Sequence, residues 1–249
     1  MNIVSIIGLG YIGLPTAAIL ASKGNNVIGI DINQKTVDLL NQGKVSIVEP
    51  GLEILIEETV SSKCFKAQTV PTYADIFVIA VPTPFKSGKK PDLSFVESSI
   101  ESIAPFLNRG NLIIIESTIP VGTTEMVSKI LSRSRPDLSI PKYGDKNRSN
   151  DIFIAHCPER VLPGKIIEEI INNNRVIGGI NKESSQKAKE FYNSFVLGDC
   201  AITDCRTAEM CKLVENSFRD TNIAFANEIS MISDDLEINP WKLIELANL

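Results

Sequence analysis

Residues Ile3 to Pro15 read IVSIIGLGYIGLP. An apolar, β-branched run leads at once into Gly8-x-Gly10-x-x-Gly13 and then into helical apolar spacing. The acidic Asp31 closes the next apolar run, Asn26 to Ile30, 18 positions after Gly13. A strand, a glycine turn, a helix and a second strand ending in a carboxylate are the parts of a βαβ unit that holds a dinucleotide. Gly8 permits the tight turn, Gly10 lets the backbone approach a pyrophosphate, and Gly13 lets the helix pack close on the sheet. The helix N-terminus offers N–H groups and a positive dipole end to the phosphates. A carboxylate at Asp31 accepts ribose hydroxyls and repels a 2′-phosphate, so NAD is expected over NADP. The competing reading is a glycine turn kept only for packing.

Working outward, strands are expected at Ile3–Ile7, Asn26–Ile30, Ile76–Val81 and Leu112–Glu116, and helices at Ile12–Lys23, Gln34–Gln42, Ser94–Leu107 and Thr123–Ser132. The runs IFVIAV and LIIIES are apolar without alternation, as in parallel strands covered on both faces. Ile152–Ala155 and Arg175–Ile180 continue as strands and Lys182–Phe195 as a helix, with a polar surface excursion at Arg135–Asp151. From Thr207 to Asp235 one helical pattern runs without Gly or Pro, too long for a crossover helix, so it connects domains or pairs subunits. Asn239-Pro240 then supplies an N-cap and a first-turn proline for WKLIELANL. The expected fold is α/β: a doubly wound, mostly parallel Rossmann-type sheet over 1–198, followed by a helical connector over 199–249.

The 249 residues carry 25 Lys plus Arg against 30 Asp plus Glu, a net charge of −5, which argues against a nucleic-acid partner. No apolar run approaches the roughly 20 residues of a membrane span, and the first residues lack a basic n-region. Five cysteines at irregular spacing suit a reducing, cytoplasmic setting better than a disulfide framework. The lone His156 and the spacing of Cys200, Cys205 and Cys211 give no metal site, and His156 is read as structural.

Other stretches carry candidate chemistry. Val81-Pro-Thr83-Pro84 and Ser117-Thr118-Ile-Pro-Val-Gly-Thr123-Thr124-Glu125 leave buried strands at the carboxyl edge, where ligands of such sheets bind. A proline-stiffened turn and a helix cap explain the same residues. In Cys157-Pro-Glu159-Arg160-Val161-Leu-Pro-Gly-Lys165, the carboxylate can act as a base or fix a water, and the guanidinium can hold a phosphate. A solvated loop ion pair reads equally well. Lys212, Asn216 and Arg219 stand at i, i+4 and i+7 on one helix stripe, able to bind an anion and stabilise an oxyanion, or simply to face water.

Taken together and in order, GLGYIGLP, VPTP, ESTIPVGTT, CPERVLPG and AEMCKLVENSFRDTNIAFANE resemble the UDP-glucose/GDP-mannose dehydrogenase family over essentially the whole chain. Among its branches the wording is most similar to the UDP-N-acetyl-D-mannosamine dehydrogenases, with UDP-N-acetylglucosamine and UDP-glucose 6-dehydrogenases as alternatives. The resemblance implies oxidation of a nucleotide-sugar C6 alcohol to a carboxylate in two hydride transfers to NAD, through an aldehyde, a cysteine thiohemiacetal and a thioester. It implies catalytic roles for Lys212, Asn216, Glu159 and Thr118. Substrate contacts would fall to Arg160, Val161, Lys212, Asn216 and Arg219, and cofactor contacts to Tyr11, Ile12, Thr83 and Thr123 beside Gly8, Gly10, Gly13 and Asp31. It also implies a homodimer paired through the 207–235 helix and a role in polysaccharide precursor synthesis.

The family's nucleophilic cysteine sits in a GGHC-type motif that this sequence lacks, and its C-terminal nucleotide-sugar domain is missing too. The expectation is therefore a truncated chain that binds NAD but does not complete the double oxidation alone. Two readings compete with it: a non-catalytic NAD-binding or dimerising protein, and a hydroxyacid-type dehydrogenase with a helix-borne lysine and asparagine.

Overall fold

The apolar runs become the centre of a sheet because nothing polar on them needs water. IFVI at Ile76–Ile79 and LIII at Leu112–Ile115 are buried at every position. The computed structural model describes residues 2–144 and 150–249. Two compact units divide it, Met1–Met210 and Cys211–Leu249. The first unit begins with β1 (Ile3–Ile7), α1 (Gly13–Ser22), β2 (Asn26–Ile30), α2 (Gln34–Asn41), α3 (Leu52–Ser61) and β3 (Phe65–Gln68). It continues with β4 (Ile76–Ile79), α4 (Ser94–Ile103), β5 (Leu112–Ile115), α5 (Thr123–Ser134) and β6 (Phe153–His156). Then come α6 (Ile166–Asn172), β7 (Arg175–Gly179), α7 (Lys182–Tyr192) and β8 (Cys200–Asp204).

The strands form one sheet in the order β3-β2-β1-β4-β5-β6-β7-β8. All pairs are parallel except β6 with β7. Successive strand residues feed opposite faces, as a period of two requires. Ile76 and Val78 join the layer with Leu14, Ile56, Ile170 and Tyr192, while Phe77 and Ile79 join the one with Val96, Ile100, Val127 and Leu131. The chain winds one way from β1 to β3 and the other way from β4 onward, which leaves a switch point between β1 and β4.

The doubly wound α/β reading holds, with differences in detail. Strands stop a residue or two earlier than the apolar runs, and Ala104–Phe106 leaves the α4 helix as a separate 3₁₀ turn, with Pro105 inside it. Helix α3, strand β3, helix α6 and strand β8 were not anticipated, and β7 turns against its neighbour instead of continuing parallel. Strand β8 pairs with β7 from Arg175↔Cys200 to Gly179↔Asp204, so the sheet runs past residue 198 and the first unit ends at Met210. Within the excursion expected at 135–151, residues 145–149 lie outside the described ones.

The second unit is helical. Helix α8 (Cys205–Asp235, 31 residues) enters it from the end of the first unit, and α9 (Pro240–Ala247) follows. Asn239 caps α9 as its sequence indicates, its Oδ1 accepting from the Trp241 and Lys242 N–H groups.

Candidate functional site

Parallel pairing places the carboxyl ends of β2, β1, β4, β5 and β6 side by side, in that order, on one edge. Asp31, the Gly8–Gly13 turn, Val81–Pro84, Ser117–Thr118 and Glu159–Val161 leave from these successive ends. At about 4.8 Å per strand the row is roughly 19 Å long.

At its centre the Gly8 N–H donates to the Ile30 carbonyl at 2.8 Å with φ +95°, and a Cβ there would stand 2.5 Å from the Ala80 oxygen. A Cβ on Gly13 would fall 1.9 Å from the Gly8 oxygen, so turn and helix are in direct backbone contact. Gly10 differs: a Cβ there would meet no protein atom within 4 Å, so the space beside it is left open. Helix α1 begins just beyond, with no side-chain cap and no acid in its first turn, so no anion of its own first turn answers its positive end. Asp31 Oδ2 accepts from Leu9 N–H and its Oδ1 from Asn33 N–H, which braces the glycine turn against the end of β2. Tyr11 is exposed and Ile12 partly so. Open space at Gly10, an unanswered helix end and a carboxylate one strand away fit a dinucleotide.

The next two loops are tied together. Thr83 Oγ1 donates to the Thr118 carbonyl at 2.7 Å, and Ser117 Oγ to the Val81 carbonyl at 2.7 Å. Thr123 is buried at the start of α5, its hydroxyl donating to the Pro120 carbonyl. The N-terminus of α5 is filled by a residue that local sequence does not flag. Glu209, fully buried, accepts from Gly122 N–H at 2.7 Å, Thr124 N–H at 2.8 Å and the Thr124 hydroxyl at 2.6 Å. Glu49 does the same for α6, taking Gly164 N–H and Ile166 N–H at 2.8 Å each, which fixes the end of the 157–165 loop.

Within that loop Glu159 is buried and makes an ion pair with Arg175, while its Oε1 accepts from Arg160 N–H at 2.7 Å. The solvated loop pair between adjacent Glu159 and Arg160 is thus not what forms. The Arg160 guanidinium donates to the Asn174 carbonyl, and Val161 packs against the core. Behind Arg175 lie Tyr192, whose hydroxyl donates to Glu116 Oε1 at 2.7 Å, and the buried Cys157, whose thiol desolvation pushes up to about 12.

Desolvation, reinforced by the Glu159 charge and opposed by Arg175, raises the Glu116 carboxyl from 4.5 to about 7. Between those values the folded protein keeps a proton that the unfolded chain has lost. This contribution to stability is complete below pH 4.5 and disappears as pH rises through 7, a change of at most about 3 kcal/mol. His156 works in the opposite direction. Its Nδ1 faces the Ile115 carbonyl at 2.8 Å, and burial lowers it to about 4, so its contribution is lost as pH falls from 6.5. The two slopes nearly cancel from pH 4.5 to 6.5. Glu116→Gln should therefore gain stability relative to the parent as pH is raised from 5 to 8, in urea unfolding series at each pH. A constant difference across that range would contradict the assignment.

Lys212, Asn216 and Arg219 lie on α8 in the second unit, where an Arg219 Nη2 sits 3.9 Å from Glu215 Oε1. Among the described residues no cluster of His, Cys, Asp and Glu is disposed to hold a metal, the five cysteines are unbridged, and no helix is long and apolar enough to cross a membrane.

Comparison with known proteins bears on this edge directly. Residues 1–196 match the model of the UDP-glucose/GDP-mannose dehydrogenase family NAD binding domain, and residues 206–249 match that of the same family's central domain. The chain belongs to that family. Membership sets aside the hydroxyacid-type reading and makes NAD the cofactor. Two relatives within the family are equally similar. The NDP-N-acetyl-D-galactosaminuronic acid dehydrogenase of Ralstonia nicotianae is 55% identical over 98% of this chain and 57% of its own length. The UDP-N-acetyl-D-mannosamine dehydrogenase of Campylobacter jejuni is 55% identical over 99% of this chain and 60% of its own. Among solved family structures, the UDP-N-acetyl-mannosamine dehydrogenase of Staphylococcus aureus superposes with a TM-score of 0.89 at 46% identity, over 99% of this chain and 58% of that one. The chain thus spans under two thirds of the length of the relatives it matches.

Proposed function

We propose that this chain is the NAD-binding part, with the first central-domain helices, of an enzyme that oxidises the C6 alcohol of UDP-N-acetyl-D-mannosamine to the uronate. The observation that supports it is the placement of the dinucleotide turn and the Glu159–Val161 loop on one sheet edge, in a chain 55% identical to such an enzyme. NAD supplies the hydride acceptor for both oxidation steps. The Gly8–Gly13 turn with Tyr11 and Ile12, Asp31, Thr83 and Thr123 hold it. Arg160, Val161 and Arg219 contact the nucleotide sugar. Lys212 and Asn216 stabilise negative charge developing at the sugar oxygen, and Glu159 with Thr118 places the water that completes the second step. A homodimer paired through the 207–235 helix belongs to the same reading.

The Ralstonia relative favours a second sugar, an N-acetylgalactosamine nucleotide. Calorimetric titration of the NAD-loaded chain with UDP-N-acetylmannosamine, UDP-N-acetylgalactosamine, UDP-N-acetylglucosamine and UDP-glucose separates them. The first should bind at least about tenfold more tightly than the others. Preference for the galacto sugar would overturn the sugar assignment, and no binding of any would overturn the proposal. Because the sequence lacks the GGHC-type cysteine motif, the chain alone should give no steady NADH absorbance with any of the four.

A further inference from the structure

Reversal of β7 brings an unexpected residue to the ligand edge. In the antiparallel pair His156 lies opposite Gly178. Three residues further along the chain from His156 is Glu159, and three residues back from Gly178 is Arg175. Running in opposite directions, the two chains carry both residues to the same level of the sheet edge, one on the loop and one at the first position of a strand. A parallel β7 would have started at the far edge and placed Arg175 away from the loop.

We propose that Arg175 is the positioning residue for Glu159, with Tyr192 and Glu116 bracing it from behind. The inference rests on reading the 157–165 loop as part of the nucleotide-sugar surface. Arg175 is 2% exposed and spends its guanidinium on three contacts: Nη1 on Glu159 Oε2, Nη2 on the Ile170 carbonyl at 3.0 Å, and its face over the Tyr192 ring at 5.3 Å. The Tyr192 hydroxyl is anchored in turn on Glu116 at the end of β5. Only a planar fork makes two separate donations while stacking on a ring, which a lysine at this position could not do.

The contacts have a direction. Strand β7, helix α6 and helix α7 fix Arg175, Arg175 fixes one oxygen of Glu159, and the other oxygen accepts the Arg160 N–H. The loop backbone therefore turns at Arg160 where Arg175 dictates. Each Glu159 oxygen keeps acceptor capacity for a water or a sugar hydroxyl, since a carboxylate offers about four lone-pair sites. Arg175 touches neither water nor sugar in this reading; it sets the direction of Glu159, which places the water.

Arg175→Lys keeps the buried charge and removes the fork. In the 249-residue chain, amide exchange at Arg160 should speed up about tenfold or more, and UDP-N-acetylmannosamine affinity should fall by a similar factor, with the NAD dissociation constant within about twofold of the parent. Glu159→Gln should loosen the Arg160 amide in the same way, and the double variant should add no more than about twofold to the larger single effect. Unchanged protection of Arg160 in both variants would overturn the proposal, as would a parallel loss of NAD and nucleotide-sugar affinity, the mark of general unfolding. If Arg175→Lys does not fold, Glu159→Gln decides alone by the same exchange criterion. Should the parent chain bind no nucleotide sugar, the functional reading fails while the exchange measurement still judges the positioning role.

Discussion

Replacing Gly10 with valine is expected to weaken NAD binding by about 100-fold, close to 3 kcal/mol, while leaving thermal unfolding almost where it was. The two effects separate because of what surrounds this position. Gly10 is exposed, its φ is not among the positive values, and a Cβ there meets no protein atom within 4 Å. The packing around it gives no reason for glycine, whereas the proposed ligand does, since its pyrophosphate must approach the backbone closely. Gly8→Ala makes the contrast. Its added carbon would press on the Ala80 oxygen from a left-handed backbone, so stability should fall first, by about 1–3 kcal/mol, with affinity following. Calorimetry with NAD and a melting curve on each variant suffice. A Gly10→Val protein that binds NAD within threefold of the parent would remove the cofactor from this turn.

Glu209→Ala should cost about 3–5 kcal/mol, lowering the melting temperature by about 10 °C. Glu209 accepts from three donors at the entrance to α5, and its removal leaves the part-buried Gly122 amide and the buried Thr124 amide without that partner. Glu209→Gln should fall between, because its amide nitrogen must face one of those N–H groups, donor against donor. Chemical unfolding of the three proteins tests this, and a loss below about 1 kcal/mol in the alanine variant would show that water takes over the cap.

The part of the fold that could be read from sequence was the part whose residues are buried on both faces. IVSII, IFVI and LIII announce central parallel strands by lacking polar alternation, and the glycine turn announces the ligand edge by spacing alone. What escaped was short or half-exposed. FKAQ of β3 alternates buried and exposed positions around a lysine, CAITD of β8 is a sheet-end strand largely open to water, and IIEEIIN of α6 is too brief to display a helical period.

The direction of β7 was not readable for a different reason. RVIGG has the same composition whichever way it runs, and the choice is made by the 157–174 connection. For the candidate site, spacing pointed to Gly8, Gly10, Gly13 and Asp31, and order along the chain to the 157–165 loop, all of which leave one sheet edge. Glu209, Glu49 and Arg175 were invisible because each acts on a segment far away in sequence or across a reversed strand. An acid at the end of LIIIE was the one local hint of the buried cluster.

The cap on α5 also imposes a timetable. Glu209 follows Thr124 by 85 residues, and at about 5–20 residues per second the ribosome needs on the order of ten seconds to deliver it. Through that interval the Gly122 and Thr124 amides of the nascent chain are without their carboxylate. Helix α6 has no such delay, since Glu49 is made long before Gly164 and Ile166 need it. Vectorial synthesis thus completes the second helix entrance on arrival and holds the first one open until the leading turn of the 31-residue helix emerges. Nascent chains arrested before and after residue 209 should differ sharply in protease resistance at 120–125, although both already contain every strand of the sheet.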